Sequence, residues 1–167
     1  MNNNEKKTGN VLAIDPGNQE SGAVLIRAED FKPLIIRKAP NEYLLDEITE
    51  NAGMFDEAVI EMVASYGMTV GASVFETCVW IGRFMQRMKD LGKKVERLPR
   101  MAVKMNMCHN AGAGDSNITQ ALVDRFAPNT RNKGKGVKAE PGWFYGFKKD
   151  IWQAYALGVT YLDEKNF

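Results

Sequence analysis

Histidine and cysteine are nearly absent from this chain of 167 residues, which has one His (His109) and two Cys (Cys78 and Cys108). So few of them exclude a Cys/His zinc cluster. They also exclude a disulfide framework, and a reducing cytoplasm is the expected compartment. Long apolar runs are missing too. Nothing approaches the roughly 20 residues of a membrane span, so no membrane partner is expected. Met1 to Asn10 is polar and lacks the apolar core of a signal peptide. Residues 1–10 therefore read as a flexible N-terminal tail and residues 11–167 as a single domain. An excess of one charge is also lacking: 22 Lys and Arg face 21 Asp and Glu, a net charge of +1. Whole-chain charge names no partner, and any nucleic-acid site must be a local patch. No internal repeat is visible. What remains is 44% hydrophobic and 26% charged, ordinary for one soluble domain with a full core.

The chain is organised around Val11-Leu12-Ala13-Ile14-Asp15-Pro16-Gly17, followed by Ser21-Gly22-Ala23-Val24-Leu25-Ile26. Two apolar runs joined by a Pro/Gly/Asn turn predict a β-hairpin. The first run has no polar residue before Asp15, which predicts a strand buried on both faces in mid-sheet. Asp15 at its end suits a metal or a phosphate, or it bonds its own turn's backbone, as Asp often does.

A third strand is expected at Pro33–Arg37, antiparallel to the second. A helix follows from Asn41, its N-cap, to Glu50. Glu57–Met62 reads as another buried strand, and the helix before it permits a crossover that lays it parallel to the first. Asp15 and Glu61 would then share the carboxyl edge of the sheet, where open α/β sheets carry their sites. Val63–Gly71 is a loop containing Tyr66. Val74, Cys78, Ile81, Met85 and Met88 mark the apolar stripe of a helix from Ser73 to Leu91. Lys94–Leu98 gives a fifth strand, closed by Pro99. Met101–Gly114 carries no clear pattern, and its end, Asn110–Gly114, is a glycine-rich loop that lacks the Lys-Ser/Thr of a P-loop. Asp115 opens a helix and is expected to cap it.

Pro128–Phe147 is the one long irregular stretch. Arg131, Lys133, Lys135 and Lys138 precede Trp143, Phe144, Tyr145 and Phe147, and Lys148 and Lys149 follow. Glu140 is the one acid among them. A basic loop with interleaved aromatics suits a phosphate backbone and exposed bases; the alternative is a solvated loop with its aromatics folded inward. Asp150 then opens the last helix, to about Asp163, with Ala154, Leu157, Tyr161 and Leu162 as its apolar face. A first-turn acid also fits the helix dipole.

Asp15, Glu61 and Asp150 together suit hard divalent cations, which take oxygen ligands and organise phosphodiester hydrolysis. Three converging carboxylates repel one another, so at least one raised carboxyl pKa is expected without metal.

The segments Ile14-Asp15-Pro16-Gly17 with Ser21-Gly22, Val59-Ile60-Glu61, and Asp150-Ile151-Trp152-Gln153-Ala154 resemble the RuvC-type Holliday junction resolvases. The chain is most similar to their shorter bacteriophage relatives, from about Val11 to Leu162. Pro99-Arg100-Met101-Ala102-Val103-Lys104 and Gly114–Leu122 resemble a basic segment and a helix start of phage members. The resemblance implies an α/β, ribonuclease H-like fold: a five-stranded mixed sheet, strands one to three antiparallel, flanked by helices. It implies a metal-dependent endonuclease that resolves four-way DNA junctions by paired cuts, using Mg²⁺ or, in its place, Mn²⁺. Asp15, Glu61 and Asp150 match three catalytic and metal-binding acids. The second helix acid of bacterial members falls at Gln153, a departure, with Asp115 as a further candidate ligand. The resemblance also implies a homodimer through the Ser73–Leu91 helix, Tyr66 as an aromatic near the branch point, and Lys104, Lys148 and Lys149 at phosphates. Branched DNA is then the expected partner, with Arg131, Lys133 and Lys135 of the basic loop adding to the contact. Three other readings compete. One is a ribonuclease H acting on RNA–DNA hybrids. Another is a non-catalytic module that binds branched DNA. The third, a sugar-kinase or actin-like ATPase, needs two such domains and more chain than this.

Overall fold

The computed structural model describes residues 8–166. Strand β1 (Asn10–Asp15) runs up the middle of a five-stranded sheet and pairs with β2 (Glu20–Arg27) through the expected hairpin. Strand β3 (Pro33–Pro40) extends past the expected Arg37 and pairs antiparallel with β2. Helix α1 (Asn41–Glu50) crosses over to β4 (Glu57–Met62), which lies parallel to β1. Helix α2 (Ala72–Asp90) crosses to β5 (Lys94–Pro99), parallel to β4. The order is β3-β2-β1-β4-β5. The uniformly apolar β1 is central because only a strand covered on both faces can bury side chains of both parities.

Alternation divides those side chains between two cores. Leu12, Ile14, Ala23, Leu25, Ala58 and Ile60 face α1 and α2. Val11, Ala13, Val24, Ile26 and Val59 face helix α5 (Asp150–Lys165). Helix α3 (Arg100–Cys108) and helix α4 (Asp115–Phe126) pack against α5 from outside. Sandwiched in this way, α5 is buried without a break from Ile151 to Leu162, not along the one face its spacing predicts. Gly158 makes the approach possible, since a Cβ there would fall 2.2 Å from Ile26 Cδ1 and 3.0 Å from Ala13 Cβ.

Several expectations change. Met101–Cys108, unassigned from the sequence, is helical; only Val103 of α3 is buried, which leaves too thin an apolar stripe to read. In α2 the buried line is Thr77, Ile81, Phe84 and Met88; Val74, Cys78 and Met85 are half-buried at its border. Thr77 is carried inward with its hydroxyl satisfied by the Ser73 carbonyl at 2.9 Å. Asn41 is the first residue of α1 and does not cap it. The inner end of the tail is anchored: Thr8 N and Gly9 N donate to the Asp56 carboxylate at 3.1 and 2.8 Å. Residues 1–7 of that expected tail lie outside the described residues.

Pro128–Phe147 is not a loose loop. It holds a 3₁₀ turn (Asn132–Gly134) and a two-stranded ribbon, β6 (Gly136–Val137) with β7 (Glu140–Pro141). Phe144 and Phe147 are fully buried against Trp152 and Tyr155. Trp143 stacks on Phe126 and donates its indole N–H to Tyr155 Oη at 3.1 Å. Of the four aromatics expected to meet bases, three are therefore packed inside, because their burial is what holds the segment down. Only Tyr145 is exposed.

Candidate functional site

The parallel strands β1, β4 and β5 end at one edge, and the site stands there. Residues of one parity share a face. Asp15 follows Val11 and Ala13, and Glu61 follows Val59, so both carboxylates emerge on the α5 side. Cross-strand pairing puts Gly22 beside Asp15, and Lys38 beside Gly22, in one row. The start of α5 lies directly on that row. A Cβ on Gly22 would fall 2.9 Å from the Asp150 carbonyl carbon, so only glycine admits Asp150 so close to Asp15.

The turn after Asp15 is held without it. Gly17 N donates to Ser21 Oγ at 3.1 Å, Ser21 Oγ donates to Asn41 Oδ1 at 2.6 Å, and Asn41 Nδ2 donates to the Gly17 carbonyl at 2.9 Å. Ser21 and Asn41 are both buried. This network takes the backbone-bonding role considered for Asp15, and the carboxyl stays unused by its own turn.

The electrostatics carry the mark of crowding. Burial, then the Glu61 and Asp150 charges, push the Asp15 carboxyl up to about 8; Arg100 opposes and Asp115 adds to the rise. Burial raises Glu61 as well, again against Arg100, with a smaller pull from Lys104. Glu61 Oε2 is buried and has no hydrogen-bond partner among the described residues. Its nearest cation is Arg100 Nη1 at 3.7 Å, an ion pair beyond hydrogen-bond range. Asp150 is held by Lys38 Nζ at 2.5 Å. Asp115 is 76% exposed and pairs with Arg100 Nη2. It opens α4 without capping it, since Gly114 is the N-cap.

The structure thus brings Asp15, Glu61, Asp150 and Asp115 within electrostatic reach of one another, with Lys104 near Glu61. Among the described residues, no three acids, His or Cys stand close enough to form a ready metal cage. A cleft of about 360 Å³ opens beside them between the starts of α4 and α5, lined by Asp115, Ser116, Thr119, Lys149, Asp150, Trp152 and Gln153. Tyr66 is 62% exposed in the loop after β4, at a left-handed position (φ 48°). Arg131, Lys133 and Lys148 are exposed and Lys135 half-buried; none of the four lines this cleft.

Two residues escaped the sequence reading. Lys38 lies one residue past Arg37, the expected end of β3, and the row through Gly22 to Asp15 is the signal that identifies it. Arg100 was noted only as part of a basic segment, with its side chain unassigned. It sits at the end of β5, the same carboxyl edge as Asp15 and Glu61, a position legible once β5 is taken as parallel.

The fold has clear counterparts among solved structures. The Thermus thermophilus RuvC structure superposes with a TM-score of 0.67 at 14% identity, covering 94% of this chain and 96% of that one. The chain has the fold of RuvC. A second structure, T. thermophilus RuvC in complex with Holliday junction substrate, gives a TM-score of 0.62 at 13% identity, over 94% of this chain and 95% of the other. The ribonuclease H-like architecture, with a five-stranded mixed sheet and β1 to β3 antiparallel, is therefore as the resemblance implied. No protein-family model matches the sequence, and no curated protein does. Among the described residues no helix is long and apolar enough to cross a membrane.

Proposed function

We propose that this chain is a metal-dependent endonuclease that resolves four-way DNA junctions by paired phosphodiester hydrolysis. The observation that carries the reading is Glu61 Oε2, a buried carboxylate oxygen without a hydrogen bond, on the same face and edge as Asp15 and Asp150. Buried acceptors are normally satisfied, and a carboxylate left bare invites a cation. The RuvC fold and its known complex with a Holliday junction favour DNA as the substrate.

The donor set suits Mg²⁺, with Mn²⁺ as substitute: the donors are oxygens, without nearby thiol or imidazole. Asp15, Glu61 and Asp150 would hold the ion, and Asp115 is a further candidate. When bound, it supplies Lewis acidity and charge neutralisation at the scissile phosphate. The rest falls to the chain. Asp15 and Glu61, fixed by strand register, define where that phosphate stands. A cation held there would favour the ionised Asp15 carboxylate, which burial and the neighbouring acids disfavour. Lys104 near Glu61 and Lys149 in the cleft draw the strand in, while Arg131, Lys133, Lys135 and Lys148 add screened attraction for the arms. Tyr66 offers an exposed ring for stacking on a base near the branch.

A four-way junction has two-fold symmetry, which suits a two-fold dimer. Helix α2 offers a surface for it, with Phe75 61% and Val79 56% exposed on its outer side. The test is cleavage of a labelled immobile four-way junction against linear duplex and RNA–DNA hybrid, with Mg²⁺ or EDTA. Paired nicks near the branch, lost in EDTA and in Asp15→Asn, are expected. Cutting confined to the hybrid moves the assignment to ribonuclease H. Tight junction binding without cutting in Mg²⁺ or Mn²⁺ leaves a binding module.

A further inference from the structure

The guanidinium of Arg100 is the most connected group in the site. Nη1 donates to Gln153 Oε1 at 2.5 Å and stands 3.7 Å from Glu61 Oε2, and Nη2 pairs with Asp115 Oδ1. The side chain is only 22% exposed, and its charge opposes the rise of both Asp15 and Glu61. Lys38, on the opposite side, touches Asp150. Three of the four acids are thus divided between two fixed cations: Lys38 has Asp150, and Arg100 has Glu61 and Asp115.

Gln153 explains how the guanidinium stays there. It is buried, one turn along α5 from Asp150, and its amide oxygen accepts the Arg100 N–H without adding charge. A carboxylate at this position would give the site another anion facing the same space and favour a further metal ion. A neutral acceptor leaves that side to one monovalent cation, which pairs with Glu61 at 3.7 Å without hydrogen-bonding it. Arginine stays charged at any accessible pH and its planar fork reaches several acceptors at once. A divalent ion placed among the same acceptors would meet that charge at close range in a half-buried setting.

We propose that Arg100 is a positioning residue that fills the cation place on the Glu61–Asp115–Gln153 side, so that the chain takes up one divalent ion, not two. The inference rests on the metal-dependent reading above and assigns its stoichiometry. Arg100 orients Glu61 by ion pairing and keeps Asp115 out of the ligand set. Gln153 holds Arg100 in register with α5.

The test counts bound Mn²⁺ on the full chain without DNA, by the loss of the free-ion electron paramagnetic resonance signal in a titration. The wild-type chain is expected to bind one ion. Arg100→Gln is expected to bind two, and Arg100→Lys, which keeps the charge, one. Melting supplies a second readout: without metal Arg100→Gln melts lower than wild type, and Mn²⁺ closes most of the gap, whereas a purely structural loss would persist in Mn²⁺. Two ions in the wild type, or one ion in a folded Arg100→Gln, overturns the assignment of Arg100 and leaves the nuclease reading standing. If Arg100→Gln does not fold, two ions in Arg100→Lys overturn it equally. Failure of every protein to bind Mn²⁺ removes both.

Discussion

The two charge-rich regions of this protein are built on opposite principles. At the sheet edge, carboxylates are buried or half-buried and fixed by strand register, and their charge is left incompletely answered. Glu61 Oε2 has no hydrogen bond, and Asp15 is pushed up to about 8. In the segment from Pro128 to Lys149, the arrangement is reversed. Arg131, Lys133 and Lys138 stand in solvent, while Phe144, Phe147 and Trp143 anchor the backbone inside. The first region stores electrostatic tension that a cation would relieve under the proposed function. The second uses apolar burial to present cations at little electrostatic cost. Similar density of charge in sequence therefore signals different functions, according to whether the backbone or the side chains are the anchored part.

The difference can be broken most forcefully at the acids. Asp15→Asn should lower junction cleavage by on the order of 10³-fold or more, the scale for losing a charge-stabilising group in a reaction centre. Folding should be kept, since the neutral amide stands in for the protonated carboxyl below about pH 8 and avoids the repulsion with Glu61 and Asp150 above it; cleavage rates beside thermal melts check both. The anchored aromatics should behave the other way. Phe144→Ala should cost about 3–5 kcal/mol of stability, as for buried aromatics elsewhere. Tyr145→Ala, at an exposed neighbour, should stay within about 0.5 kcal/mol; denaturant unfolding separates them.

Acidity sharpens the contrast further. The folded Asp15 carboxyl lies above its ordinary value, so between about pH 4 and 8 the folded state holds a proton that the unfolded chain has released. Metal-free stability should therefore fall as pH rises through that window, by up to about 1.4 kcal/mol per pH unit. Unfolding midpoints in EDTA measure the slope, and Asp15→Asn should flatten it. The smallest effect belongs to the basic segment. Lys133→Ala or Lys135→Ala should leave stability unchanged and reduce the salt dependence of junction binding by about one unit of slope for each phosphate no longer neutralised.

Much of the architecture was legible because it depended on local pattern. The apolar run of β1 announced a central strand, the Pro-Gly turn a hairpin, and the acid at the end of each of two apolar strands a shared edge. Parity adds more than that reading used: Ala13 with Asp15, and Val59 with Glu61, already assign both acids to one face. Helix α3 was not legible, because a short helix with one buried residue leaves no period to detect. The inward turn of Trp143, Phe144 and Phe147 was not legible either. An aromatic beside a lysine looks the same whether it will face solvent or Tyr155.

What the chain determined by itself is the order of elements and the position of three acids within them, since strand parity and turn chemistry act over a few residues. What only the tertiary structure decided is which cations answer those acids. Lys38 meets Asp150 across 112 positions of sequence, and Arg100 meets Gln153 across 53. Such partners are chosen by sheet register and by the close seating of α5 on Gly22. No local pattern encodes them, because charge acts through space and the distances exist only once the sheet is closed over its helix.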